Sequence, residues 1–116
     1  MERKDGYYFG TEIEGKWYRR YMAKGMLARG TGKYWFDETA LSFLRMLTAK
    51  PIRIPYASIY DIKTGKWHSG RWGQGYNVIK VLWTENDRKL SSGFILSKNN
   101  PEVSEIVNYL KKKITV

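Results

Sequence analysis

The chain has no cysteine and a single histidine among its 116 residues. Without a thiol there is no disulfide, no cysteine nucleophile, no zinc ribbon and no iron–sulfur cluster. A metal site normally takes three or four ligands from His, Cys, Asp and Glu, so one histidine argues against zinc. Long hydrophobic runs are also missing. The longest are of the order of Val78–Ile79 and Val81–Trp83, and a membrane-spanning helix needs about 20 apolar residues. The opening MERKDGYYFG lacks the apolar core of a signal peptide. Acidic residues are scarce, 11 against 21 Lys and Arg, for a formal net charge of +10. These absences lead us to expect a soluble, cytoplasmic protein with no cofactor and no transmembrane segment.

Aromatic residues are abundant instead, at 16% of the chain, within a hydrophobic share of 42%. That is too rich for a disordered chain. At roughly 100–150 residues per domain the length allows one domain. A chain this size buries about 65% of its unfolded surface, enough for a core without staples.

The positive surplus favours anionic partners: nucleic acid, anionic lipid headgroups or acidic proteins. It is not confined to a tail. Residues 1–58 hold 11 basic and 6 acidic side chains, and residues 59–116 hold 10 and 5. One stretch, residues 16–33, carries Lys16, Arg19, Arg20, Lys24, Arg29 and Lys33 and no acid. It is either a solvated basic face or part of a binding surface.

Residues 1–15 are polar apart from Tyr7-Tyr8-Phe9, and we expect them to be a lead-in or an extra edge strand outside a domain spanning 16–116. From there to residue 96, Gly, Asn and Asp punctuate aromatic and β-branched runs, the pattern of an all-β domain. The runs predict a strand or strand pair over 17–29, interrupted at Gly25, and a bend at Gly30-Thr31-Gly32. A hairpin follows, 33–36 and 40–47, turning at Asp37-Glu38-Thr39. Short strands come next over 52–54 and 58–67. A long hairpin tip at 68–75 leads to a strand over 76–84, a turn at Glu85-Asn86-Asp87-Arg88, and a last strand over 89–96. The period then changes. Val103, Ile106, Val107, Leu110 and Ile114 share one face of a helix over about 101–114. Asn100 suits its cap, Pro101 its first turn, and Lys111–Lys113 its negative end. About seven antiparallel strands and one terminal amphipathic helix predict a mainly β fold: a seven-stranded barrel or sandwich, capped by the helix.

These segments resemble the pleckstrin-homology-like superfold, nearest to GRAM-type and bacterial or archaeal PH-like domains. The resemblance begins at GTGKYWFDETALSFL (30–44), a glycine before an aromatic strand, a tight turn and a Leu-x-Phe strand. It continues through IRIPYASIYDI (52–62), NVIKVLW (77–83), KLSSGFILS (89–97) and EIVNYLKKKI (105–114). It covers roughly residues 20–115, and rests on the order and spacing of the segments. Asp37-Glu38 stands where the family often has Thr-Asn. The resemblance implies a binding or adaptor role with no catalytic residues, and it carries over no ligand.

The residues themselves offer little for catalysis. His68-Ser69 lies in a hairpin tip with no third group to poise a base. GRWGQG (70–75) has the glycines of a phosphate loop but no Lys-Ser/Thr ending and no following helix. The segment 63–76 is more informative. It holds Lys63, Lys66, Trp67, His68, Arg71, Trp72 and Tyr76, with four glycines and no acid. Tryptophan beside Lys or Arg can sit in a lipid headgroup layer, or stack on bases while the cations meet phosphates. Alternatively Trp67 and Trp72 fold back as hydrophobic cover. The candidate contact residues are thus Lys66, Trp67, His68, Arg71 and Trp72, joined by Lys16, Arg19, Arg20 and Lys24 if the two segments share a face. The expected function is a non-enzymatic module that engages an anionic membrane surface or a protein partner, cytoplasmic and peripheral to a membrane if lipid is the ligand. The alternative is a small basic nucleic-acid-binding barrel of the OB or cold-shock type. An OB fold has five strands and usually a helix between the third and fourth, whereas this chain keeps its clear helix for the end.

Overall fold

The computed structural model describes residues 3–21, 26 and 29–114. Their strands are β1 (Lys4–Ile13), β2 (Lys16–Arg20), β3 (Gly30–Phe36), β4 (Ala40–Arg45), β5 (Ile52–Pro55), β6 (Ile59–Gly65), β7 (Trp67–His68), β8 (Arg71–Trp72), β9 (Val78–Glu85) and β10 (Arg88–Ile95), and one helix follows, α1 (Asn100–Ile114). The main sheet is antiparallel in the order β5–β4–β3–β1–β10–β9–β6, with β2 paired to the end of β1. This is the expected mainly β fold of seven antiparallel strands and a C-terminal helix, in its sandwich form, because the sheet does not close. Its two edges are β5 and β6. They are joined by a 3-10 turn (Tyr56–Ser58), and α1 packs on that turn and on β6, over the unclosed seam.

The helix forms where its apolar spacing lies. Val103, Ile106 and Leu110 are buried in the core beside Ile62, Trp83 and Leu96. The helix begins one residue earlier than expected. Asn99, not Asn100, is its cap: Asn99 Oδ1 accepts from the Glu102 N–H at 3.1 Å, and Val103 N–H donates to Asn99 O at 2.9 Å. Pro101 falls in the first turn, where its missing N–H costs nothing.

Residues 4–13 correct the sequence reading. They are neither lead-in nor edge: β1 lies inside the sheet, flanked by β10 on one side and by β3 and β2 on the other. Tyr8 and Phe9 are buried, as are Thr11 and Ile13. Inward and outward positions fail to alternate along β1 because a bulge at Gly10, with φ 109°, shifts its register against β10. That bulge hides the strand from a period-two reading. The expected bend at Gly30–Gly32 is also strand. A Cβ at Gly32 would lie 2.1 Å from Leu44 O, so glycine there lets β3 approach β4 closely.

The reversals are tight. Glu14-Gly15, Ser69-Gly70, Gln74-Gly75 and Asn86-Asp87 each pair two residues at positive φ, the pattern of type I′ turns that match strand twist. Asp37 makes the β3–β4 turn by accepting from the Thr39 and Ala40 N–H groups, both at 2.8 Å. These bonds, first the one from Thr39, hold its carboxyl below the usual range.

The core contains a one-way chain of polar groups. Trp83 Nε1 donates to Ser92 Oγ at 3.0 Å, and Tyr8 OH donates to Met26 O at 2.8 Å. Between them Ser92 meets Thr11, and Thr11 meets Tyr8, each at 2.6 Å. Since the indole can only donate and the carbonyl only accept, the protons run from Trp83 through Ser92, Thr11 and Tyr8 to Met26 O. Each buried group is thereby satisfied.

Candidate functional site

The β7–β8 hairpin lies across β1 and β10, held by its inward-facing residues. His68 corrects the list of contact residues, for it is buried rather than exposed. Gly10 and Gly93 face each other across β1 and β10, and the imidazole fills the slot over Gly93. A Cβ there would stand 2.4 Å from the ring. Nε2 meets Ser91 O at 2.8 Å and must carry the proton, because a carbonyl only accepts. Nδ1 is then the lone pair, buried without a hydrogen bond, 3.7 Å from the Glu12 carboxylate. Burial lowers the His68 pKa below its ordinary value and outweighs the opposing pull of Glu12, so the ring is neutral at pH 7. Next to it, Ser69 N–H donates to Glu12 Oε2 at 2.7 Å. Arg29 bridges the same turn to the sheet, donating to Ser69 O and, at 2.8 Å, to Phe9 O.

With its turn anchored, the hairpin turns its other face outward. Trp67 and Trp72 are cross-strand partners with ring centroids 6.5 Å apart, and they stay 59% and 51% exposed. They are not core cover. Lys66 is exposed and donates to Gly75 O at 2.8 Å, while Arg71 Nη1 donates to Tyr7 OH at 2.9 Å. The backbone is also tied, Gly73 N–H to Lys66 O at 2.7 Å and Tyr76 N–H to Gly73 O at 3.1 Å. What sequence alone presents as a long tip at 68–75 is an ordered hairpin turning at Ser69-Gly70.

A groove of about 1070 Å³ opens beside this hairpin. Trp72 and Tyr76 line it from the hairpin side, and Met46 and Leu47 from the end of β4. Lys4, Lys33, Arg45, Arg71 and Lys98 also line it, against only Asp5 and Glu102. Both acids are paired, Asp5 with Lys33 and Glu102 with Lys4, the latter at 3.9 Å. Lys98 sits over the Tyr76 ring, 5.0 Å from its centroid. Tyr34 lines the groove as a structural group: its hydroxyl donates to Leu96 O at 2.8 Å, and burial, then Glu102, raises its pKa to about 12.

The architecture, the terminal helix and the segment order converge with a family model for bacterial PH domain-like proteins, which matches residues 1–110. The chain belongs to that family. No curated protein matches it. The match takes β1 into the PH-like domain, in agreement with its interior place in the sheet. It also sets the fold apart from the OB and cold-shock barrels.

Of the second expected basic segment, the described residues Lys16 and Arg19 do not line the groove. Lys16 and Arg19 are exposed on β2, which pairs with the end of β1 opposite the groove-lining Lys4–Tyr7. Lys24 and the side chain of Arg20 lie outside the described residues. Among the described basic residues of the 16–33 stretch, Arg29 reaches the hairpin and Lys33 the groove. Sequence reasoning missed Met46 and Leu47 because it continued the strand to 47 and because MLTAKP holds no glycine or asparagine to mark a turn. Among the described residues no three His, Asp or Glu side chains gather as metal ligands, and no helix is long and apolar enough to cross a membrane.

Proposed function

We propose that this PH-like domain is a non-enzymatic binding module that docks on an anionic membrane surface through the β7–β8 hairpin. The observation that carries this reading is the pair Trp67 and Trp72, held outward on an ordered hairpin beside Lys66 and Arg71. Indole rings prefer the layer between water and hydrocarbon, and neighbouring cations meet lipid phosphates. An ordered hairpin loses little freedom on docking, which favours affinity. The single histidine, the usual general base, serves here as an anchor, which supports a binding role over catalysis. A cytoplasmic protein attached peripherally to a membrane fits the same reading.

The test is sedimentation with vesicles of phosphatidylcholine, with and without phosphatidylglycerol, at near-physiological salt. Binding that needs the anionic lipid and weakens as salt rises is expected. Saturable binding to a single-stranded oligonucleotide with no vesicle binding would move the assignment to nucleic acid. Binding to neither would leave a protein partner.

A further inference from the structure

We infer that the β4–β5 turn is a second membrane-inserting prong, with Leu47 as its tip, so that the domain meets an anionic bilayer on two prongs with the groove between them. This rests on the membrane reading proposed above and adds a residue, an orientation and a footprint to it.

Leu47 is the least protected large hydrophobic residue described, 103% exposed beside Met46 at 66%. Its backbone is also in the wrong place for leucine. The turn Arg45–Thr48 is closed by Thr48 N–H to Arg45 O at 3.3 Å, and Leu47, third in it, has φ 63°. That position of a type II turn favours glycine or asparagine, and a branched apolar side chain there is strained. The fold's own packing gives no reason for leucine at this point, since the side chain touches water on all sides. A strained and fully exposed apolar residue is explained by something outside the domain.

The two prongs belong to one surface. Arg71 of the hairpin donates to Tyr7 OH, Tyr7 stands opposite Thr31 in the β1–β3 register, and Thr31 Oγ1 lies 3.2 Å from Met46 Sδ. Only β1 and β3 separate the hairpin from β4 here. At about 4.8 Å per strand, the apolar prongs flank a strip roughly 10–15 Å wide. The groove in that strip has five cations against two acids, a surplus of three, with the acids paired to Lys4 and Lys33. Apolar tips on both sides of a cationic floor complement a bilayer, whose phosphates lie at the surface and whose acyl chains lie just below.

The chain's lack of cysteine makes the test direct. Leu47→Cys is labelled with an environment-sensitive fluorophore, and Ser104→Cys, on the exposed face of α1, is the control. With phosphatidylcholine–phosphatidylglycerol vesicles, the label at 47 is expected to shift to the blue and the label at 104 to stay unchanged. Leu47→Asn suits the left-handed backbone, so it should keep or raise the melting temperature while weakening vesicle binding about five- to tenfold. If the unlabelled protein binds these vesicles but Leu47→Asn binds as tightly and the label does not shift, the second prong is wrong and the hairpin assignment stands. If the protein binds no vesicles, the membrane reading fails and this inference with it. A label shift on adding an oligonucleotide or a protein, with none on vesicles, would likewise overturn it.

Discussion

The helix α1 and the β7–β8 hairpin both pack on the sheet, and they do so with opposite sides of their chemistry. The helix turns Val103, Ile106 and Leu110 into the core and leaves Lys111–Lys113 in solvent. The hairpin turns a histidine and a serine inward and leaves two tryptophans outside. Burying His68 and Ser69 removes polar groups from water, and Ser91, Glu12 and Arg29 supply three hydrogen bonds in return, while His68 Nδ1 and Ser69 Oγ stay without one. Burying Trp67 and Trp72 instead would have removed far more apolar area from water. The hairpin thus stays docked by its polar side while exposing its apolar side, the arrangement on which the proposed docking rests. The helix is arranged for the fold.

That contrast can be broken by experiment. The largest effect is expected at the helix. Leu110→Asp puts an unpaired charge into a fully buried apolar site and should cost several kcal/mol, enough to abolish a cooperative melt followed by circular dichroism. A mutant that melts within a degree or two of the parent would show that the stripe is not the core plug. Gly93→Ala comes next. The new methyl overlaps the His68 ring, so either the ring or the strand must move, at about 1–3 kcal/mol. Amide exchange should show the loss concentrated at the hairpin and β10; uniform destabilisation would mean that the hairpin has no separate anchor.

A smaller effect should follow pH. His68 is held below its ordinary 6.5, chiefly by burial. The unfolded chain therefore takes up its proton at higher pH than the folded one. The stability contribution is complete above about pH 6.5 and declines as pH falls below it, until the folded-state value is passed. The groups facing the ring include Glu12 and Lys80, and Glu12 also accepts from Ser69. His68→Gln should flatten this part of the pH profile, and an unchanged slope would assign it to other groups. The smallest stability effect is expected at the tips. Trp67→Ala and Trp72→Ala should each cost under about 1 kcal/mol, because both rings are already half in water. If vesicle binding falls by about 1–3 kcal/mol per ring while the melt holds, the contrast between the two elements sharpens. A loss of 3–5 kcal/mol in stability, as for a core aromatic, would erase it.

Local patterns were enough for much of this molecule. The periodicity of α1 places its buried face, and Asp37 marks the β3–β4 turn through bonds to residues two and three positions away. Glu85–Arg88 reverses β9 into β10 on two residues that tolerate positive φ. All these features depend on neighbours a few residues apart, so sequence order contains them.

The sequence by itself determined a basic, cysteine-free, mainly β domain with a terminal amphipathic helix and an aromatic, cationic hairpin. Tertiary structure alone decided which side of that hairpin is buried. His68 has an anchor only because Gly93, distant in sequence, leaves a slot for the ring on β10. Thr11 and Ser92 are buried only because each completes the other's hydrogen bond. β1 lies inside the sheet, and the bulge at Gly10 removes the alternation that would have announced it. Leu47 faces solvent because the strand before it stops at Arg45 and the turn swings it off the sheet. The physical reason is common to all four: burial is a property of what lies across the strand, 20 to 81 residues away in these contacts, and no local pattern carries that information.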